Sequence, residues 1–210
     1  MTIFDGQPLL AIVRSRNPCP LGKIVNAIRR GGIHLAEVTA ETPGALDAVR
    51  AAAGAGDPIG AGTIVSVADA RAFAEAGAAF LVSPGLNLDV VRTAVELGVP
   101  AVPGALSPTE VAAAVDAGAT AVKLFPAGLG GPDYLRALRG PFSHVAFVPT
   151  GGIRPDDVAA WADAGAACVG LGATLIGSPP PTTDPELDEL TERTRVAVEQ
   201  ARAAVGRRKA

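Results

Sequence analysis

The chain has 210 residues, of which 49% are hydrophobic and 19% charged, and its formal net charge is −3. This length suits one full domain, and the apolar fraction excludes a collagen-like or disordered chain. The small net charge indicates no strong attraction to nucleic acid or to a membrane surface.

Short apolar runs of the strand type recur at regular intervals along the chain. Each run is rich in β-branched residues and flanked by Gly, Pro, Ser or Thr, which is typical of strands buried on both faces of a sheet. In chain order the predicted strands are residues 9–13, 35–38, 59–62, 80–82, 101–102, 121–124, 145–148 and 168–171.

Alanine-rich segments with helical spacing lie between these strands. Helices are predicted for residues 66–76, 109–117 and 156–164, which end in the similar sequences EAGAAF, DAGATA and DAGAAC. A glycine directly after the last turn stops a helix, and the next strand follows at once. Ser107 is the predicted N-cap of the second helix.

The C-terminal part has a different composition. A proline-rich connector is predicted at 178–186, followed by a last helix at 187–205 with apolar residues at helical spacing. Residues 1–210 are therefore expected to form one α/β domain, a (β/α)8 TIM barrel near the lower size limit of that fold. An open doubly wound sheet is the alternative. We favour the barrel because the strand count reaches eight and glycine-rich turns follow strands seven and eight.

The sequence contains no feature typical of a secreted or membrane protein. Cys19 and Cys168 are far apart in sequence and match neither a disulfide framework nor a zinc site. Residues 1–16 lack the pattern of a signal peptide, and no apolar stretch approaches the ~20 residues of a membrane-spanning helix. We therefore expect a cytoplasmic protein that binds neither nucleic acid nor membrane and holds no metal.

Lys123 is the first candidate catalytic residue. The chain has 18 Lys and Arg residues, and only three of them are lysines, so an amine inside the apolar sequence ATAVKLFPA is unusual here. Unlike a guanidinium, an amine can lose its proton and attack a carbonyl carbon. Lys123 is predicted to be either a nucleophile or the partner of a carboxylate in a structural ion pair.

Glu37 is the second candidate, because it interrupts the otherwise buried run IHLAEVTA. A carboxylate in such a place is costly unless it has a partner or a chemical role. General base and structural salt bridge are the two interpretations.

Two glycine-rich turns predict an anion site. Gly151 and Gly152 in PTGGI precede a predicted helix, and Gly172 follows the next strand. Backbone N–H groups in such turns can bind phosphate. One glycine pair is weak support because any tight turn favours glycine, but two such turns on adjacent strands are stronger.

Five motifs in a fixed order resemble one known family. They are EVT at 37–39, GAGT at 60–63, SPG at 83–85, KLFPA at 123–127 and PTGGI at 149–153. This order and spacing is similar to the 2-keto-3-deoxy-6-phosphogluconate (KDPG) aldolase family, which includes 4-hydroxy-2-oxoglutarate (KHG) aldolases. The resemblance covers residues 8–200, and KLFPA together with PTGGI is its specific part.

The resemblance implies a class I aldolase on a (β/α)8 barrel, a homotrimer without an external cofactor. Lys123 would form a Schiff base with the substrate, and Glu37 would be the general acid and base. The substrate contacts it implies are Thr39, Thr63, Pro84, Phe125 and Thr150. The phosphate contacts it implies are Gly151, Gly152, Gly172 and Ala173.

Three positions bear on the choice of substrate. Glu41 stands where many gluconate-type members have an arginine that is thought to hold the substrate carboxylate, and Arg14 could supply that charge instead, as in the phosphogalactonate-type enzymes. Thr150 matches the gluconate type. Ala173 replaces the serine of the last phosphate loop, which removes one hydroxyl donor but leaves the backbone amides.

The expected reaction is reversible cleavage of a 2-keto-3-deoxy sugar acid to pyruvate and an aldehyde. A 6-phosphorylated gluconate-type substrate giving glyceraldehyde 3-phosphate is the first choice, with phosphogalactonate-type and 4-hydroxy-2-oxoglutarate substrates left open. The alternative function is a phosphate-binding isomerase or epimerase that uses Glu37 as a proton shuttle and Lys123 as an electrostatic clamp. The third functional hypothesis is a barrel that binds a ligand without catalysis.

Overall fold

The computed structural model describes residues 3–4 and 6–209, with side chains up to residue 203. The strands are β1 Leu9–Val13, β2 Leu35–Thr39, β3 Gly60–Gly62, β4 Leu81–Val82, β5 Ala101–Val102, β6 Gly104–Ala105, β7 Lys123–Leu124 and β8 Val169–Leu171. The helices are α1 Leu21–Arg30, α2 Ala45–Gly54, α3 Val67–Glu75, α4 Leu88–Glu96, α5 Pro108–Asp116, α6 Gly131–Arg139, α7 Val158–Asp163, α8 Ala173–Ile176 and α9 Asp184–Lys209.

The strands form a parallel barrel, as predicted. Six of them pair in the order β5-β4-β3-β2-β1-β8, and β6 pairs with β7. Isolated parallel bridges from Val122 to Phe147 and from Thr150 to Gly170 join the two sheets. Since the strands are parallel, and all but β5 and β6 are joined through helices, the carboxyl ends of the strands meet at one end of the barrel.

One side of the barrel is less regular than the sequence predicts. The predicted fifth strand is followed at once by β6, across Pro103. The predicted strand 145–148 is less regular than expected: it forms one isolated bridge at Phe147, and Ala146 and Val148 exchange backbone hydrogen bonds with Val122 and Leu124. Pro149 has no N–H to donate, but the hydrogen bonds to β7 continue past it, because the Thr150 N–H donates to the Leu124 carbonyl oxygen.

Alternation along the strands separates two apolar layers. In β1, Leu9 and Ala11 face the layer between strands and helices, whereas Leu10 and Ile12 face the barrel interior. Phe4 packs edge-on against Phe80 in this interior cluster, with ring centroids 6.3 Å apart. The period of two in the sequence therefore decides which side chains can reach the inside of the barrel.

Most predicted helix ends are confirmed. Ser107 caps α5 in a capping box with Glu110, and hydrogen bonds from Leu106 and Ser107 lower the pKa of that carboxyl. The glycines of the three similar endings, Gly77, Gly118 and Gly165, all have positive φ.

The last helix begins at Asp184, so the predicted start at residue 187 and the connector 178–186 are wrong by three residues. The physical reason is a cap that the prediction missed. The backbone N–H groups of Thr182 and Thr183 donate to Glu186, which lowers its pKa to about 2. Pro185 is tolerated in the first turn because its missing N–H has no helical partner there.

Candidate active site

A cavity of about 670 Å³ opens at the carboxyl ends of the strands. This volume suits a small-molecule ligand. The charged side chains that line it are Arg14, Arg16 and Lys123, with no carboxylate among the described lining residues, so the cavity favours an anion. The predicted site residues that line it are Arg14, Pro84, Lys123, Phe125, Thr150, Gly151, Gly152, Gly172 and Ala173.

Lys123 is the first residue of β7 and is only 6% exposed. Its Nζ atom lies 5.2 Å from the centroid of the Phe125 ring. Within the described part of the chain, no carboxylate lies within ion-pair distance of Nζ. The structure therefore gives no support to the structural ion pair that the sequence left open.

Glu37 lies on β2 and is fully buried inside the barrel. Neither carboxyl oxygen has a hydrogen-bond partner among the described residues, so the salt-bridge interpretation is not supported either. Gly62 on the adjacent strand makes room for this side chain, because a Cβ there would collide with Glu37 Oε1. Burial raises the pKa of Glu37, the charges of Lys123 and Arg14 oppose this, and Glu41 adds to the rise.

Arg14 follows β1 and is held from two sides. Its Nε atom lies 3.2 Å from Glu41 Oε1, and its Nη2 atom donates to Thr63 Oγ1 at 3.0 Å. Thr63, a predicted substrate contact, is not among the described residues that line the cavity. It contacts Arg14, which does line the cavity. Its φ of 57° is unusual for a β-branched residue and is typical of strain at a functional site.

The predicted substrate contact of Thr39 needs correction. Thr39 is fully buried and is not among the described residues that line the cavity. Its hydroxyl pairs with Thr42 Oγ1 at 2.9 Å, and Thr42 accepts a hydrogen bond from the Ser15 N–H. Thr39 therefore connects the loops after β1 and β2 instead of facing a ligand.

A second part of the cavity lining, the glycine wall, is built from glycines between β7 and β1. Gly151 and Gly152 have φ values of 99° and 76°, which strongly favour glycine. The N–H groups of Gly151, Gly152 and Gly172 make no hydrogen bond within the described part of the chain. Thr150 stands beside them and packs against Gly170, where a Cβ would collide with its hydroxyl.

Sequence reasoning missed a polar group on the cavity wall. Ser15, Arg16 and Asn17 after β1, with Thr174 and Ser178 after β8, line the cavity. The signal was present, because the polar run RSRN directly follows an apolar strand that pairs with β8.

A parallel barrel that brings a buried lysine and an arginine to one small cavity, with a buried carboxyl group close enough to respond to their charges, defines a (β/α)8-barrel enzyme with a small-molecule active site. The family model described as KDPG and KHG aldolase matches residues 2–192. The chain belongs to this family and is an aldolase, a lyase.

Relatives of known name agree with this assignment. The chain is 40% identical over 162 residues to a 2-dehydro-3-deoxy-phosphogluconate aldolase of Treponema pallidum, covering 73% of this chain and 76% of that protein. It is 35% identical over 198 residues to the KHG/KDPG aldolase of Escherichia coli K12, covering 93% and 91%.

Solved structures show the same fold. A structure described as native KDPGal superposes with a TM-score of 0.86 at 32% identity, covering 95% of this chain and 96% of that one. The KDPG aldolase of Legionella pneumophila, with pyruvate captured at low pH as a covalent carbinolamine, superposes with a TM-score of 0.76 at 28% identity, covering 96% and 95%.

The described residues form no helix that is both long and apolar enough to cross a membrane. Nor do any three or more of their His, Cys, Asp or Glu side chains lie together as metal ligands.

Proposed function

We propose that the enzyme is a class I aldolase that cleaves a 6-phosphorylated 2-keto-3-deoxy sugar acid, reversibly, to pyruvate and an aldehyde such as glyceraldehyde 3-phosphate. One observation carries the proposal. Lys123 in the cavity is nearly buried and has no carboxylate of the described residues at ion-pair distance. Glu37 is fully buried, its carboxyl oxygens have no described partner, and the charge of Lys123 lowers its pKa. Two costly buried groups of this kind are typical of a catalytic pair.

The first half of the reaction forms an imine. The uncharged amine of Lys123 attacks the C2 ketone of the substrate, and water leaves once the carbinolamine oxygen is protonated. The captured carbinolamine of the Legionella pneumophila relative supports this step. The Phe125 ring beside Nζ favours the cationic imine, because the face of an aromatic ring attracts positive charge.

The second half breaks the C3–C4 bond. Glu37 removes the C4 hydroxyl proton, the aldehyde departs, and the bonding electrons flow into the imine to give an enamine. The enamine takes a proton at C3, and hydrolysis releases pyruvate and restores Lys123. A carboxyl group whose pKa burial has raised can both take up and return this proton.

The rest of the cavity holds the two ends of the substrate. Arg14 is the proposed partner of the substrate carboxylate, and Thr150 is proposed to contact a substrate oxygen, with Pro84 and Phe125 shaping the space between them. The backbone amides of the glycine wall are the proposed phosphate site, completed by Ala173. The positive lining and the unpaired glycine N–H groups support an anion at that wall.

The test of this function is trapping with borohydride. The enzyme is incubated with pyruvate and sodium borohydride, and the intact mass and the modified peptide are measured. We expect a stable pyruvyl adduct at Lys123 that is lost in Lys123→Ala and retained in Lys23→Ala, an exposed lysine paired with Asp184. Absence of the adduct from the folded enzyme would contradict the proposal and favour the isomerase, which needs no imine.

We further propose the homotrimer that the resemblance implies. Leu129 and Val65 are 75% and 56% exposed, and a subunit contact would remove such apolar side chains from water. Light scattering should give three times the chain mass of 21.0 kDa. A monomeric mass would contradict it.

A further inference from the structure

The Arg14 guanidinium is bound on one edge only. Its Nε and Nη2 atoms are engaged by Glu41 and Thr63, at 3.2 and 3.0 Å, and Nη1 makes no hydrogen bond within the described part of the chain. Arg14 lines the cavity, whereas Glu41 is not among the described residues that do. The carboxylate of Glu41 thus contacts the guanidinium outside the cavity lining.

We propose that Glu41 is a positioning residue for the aldolase reaction, which turns Arg14 so that its free Nη1 edge meets the carboxylate of the 2-keto acid. This inference rests on the proposed function and deepens it. A glutamate at this position, which by charge alone would repel the substrate, is thereby part of substrate recognition.

The alternative is that Glu41 competes with the substrate for Arg14. The geometry favours positioning, because a guanidinium has five N–H donors and the two contacts leave the Nη1 end able to bind a carboxylate. Thr63 supports the same orientation from β3, at a residue held in the left-handed region. Two contacts from different loops restrict a long side chain that would otherwise sample many rotamers.

The ion pair between Arg14 and Glu41 contributes little to the stability of the fold. The side chains of Arg14 and Glu41 are 60% and 44% exposed, and ion pairs in such positions contribute little to folding. A substitution of Glu41 should therefore leave the fold intact, so that a change in substrate binding can be measured in a folded enzyme.

Glu41 has a second, electrostatic effect on the site. Its negative charge raises the pKa of Glu37, as burial does, whereas Lys123 from β7 and Arg14 from β1 lower it. Cys168, which precedes β8, is the remaining titratable group whose environment includes Glu37. Removal of the Glu41 charge is therefore expected to move the acidic limb of the kcat profile to lower pH.

The experiment measures exchange of the pyruvate methyl protons with deuterium oxide, which follows enamine formation without a known sugar substrate. Pyruvamide, which lacks the carboxylate, is the comparison ligand. We expect Glu41→Ala to raise KM for pyruvate about 10-fold, with kcat within about 2-fold of the wild-type value. KM for pyruvamide should be unchanged. Glu41→Gln should restore KM for pyruvate to near its wild-type value, because the amide oxygen still accepts a hydrogen bond from Arg14 Nε. Its pH profile should stay shifted, because the negative charge is absent.

A double-mutant cycle with Arg14→Ala tests whether Glu41 acts through Arg14. If it does, the double variant is no worse than Arg14→Ala alone. Glu192→Ala, which breaks an exposed contact with Arg195 on α9, is the matched control and should leave all values unchanged.

Three results would overturn the inference. A lower KM in Glu41→Ala would show competition for Arg14, additive losses in the cycle would show independent roles, and unchanged values would show no role. Absence of exchange in the wild-type enzyme would instead contradict the proposed function, and this inference with it.

Discussion

The two walls of the cavity differ in how they present charge. The charged wall carries the side chains of Lys123 on β7 and Arg14 after β1, and the buried Glu37 on β2 lies close enough for both charges to lower its pKa. The other consists of backbone N–H groups at Gly151, Gly152 and Gly172. Lys123 and Glu37 can gain or lose protons, and Lys123 can form a bond to carbon, whereas Arg14 and the amides of the second wall can only donate hydrogen bonds.

This difference matches the two needs of the proposed reaction. Bond cleavage needs groups whose protonation changes during the cycle, and their environment must tune them. Binding of a phosphate needs fixed donors that do not titrate, which a glycine turn supplies at no cost in side-chain entropy. Substitutions of Lys123 and Glu37 should therefore affect kcat, and those of Arg14 and of the glycine wall KM.

The largest effect is expected for Glu37→Gln beside the charged wall. The amide cannot accept the C4 proton, so kcat for cleavage should fall roughly 10²- to 10⁴-fold, the range of general-base catalysis. The borohydride adduct of pyruvate at Lys123 should still form. Loss of the adduct together with kcat would contradict the separation of roles between the two residues.

The same variant makes a prediction about stability. Burial raises the pKa of Glu37, so the folded state favours the protonated form. As pH rises through that raised pKa, the buried carboxyl must ionise and the wild-type fold loses stability, which a neutral amide does not. In urea unfolding, the free energy of unfolding of Glu37→Gln should increase relative to that of the wild type as pH rises above the ordinary pKa of a glutamate. A constant difference at all pH values would contradict this.

A smaller effect is expected at Gly172 on the neutral wall. A Cβ at Gly172 meets no atom within 4 Å, so Gly172→Asp and Gly172→Ser both have space and differ mainly in charge. A carboxylate near a phosphate should raise KM for a phosphorylated substrate roughly 100-fold, whereas serine should not. Steady-state kinetics with phosphorylated and unphosphorylated 2-keto-3-deoxy acids measures this, and pyruvate exchange should be unchanged in both variants. Equal losses for both substrates would contradict a phosphate site here.

The two walls also differ in how well the sequence predicts them. Lys123 and Glu37 were found because each is a polar residue in an apolar strand, and the glycine turns because backbone geometry demands glycine. The Arg14–Glu41 contact could not be found, since it depends on the rotamers of two exposed side chains in different loops. Thr39 was misplaced for a related reason, because its partner Thr42 lies in the turn that follows β2.

The smallest effect is a gain at the edge of the neutral wall. Ala173 is the first residue of α8 and lines the cavity, at the position where the resemblance noted in the sequence implies a serine. Ala173→Ser would add one hydroxyl donor, and a hydrogen bond of this kind contributes about 1 kcal/mol, or roughly 5-fold in affinity. KM for a phosphorylated 2-keto-3-deoxy acid should fall by about that factor, with KM for the unphosphorylated acid unchanged. An equal fall for both would place the new hydroxyl against the sugar acid rather than the phosphate, and the neutral wall would then extend further toward the reacting carbons than the glycines alone indicate.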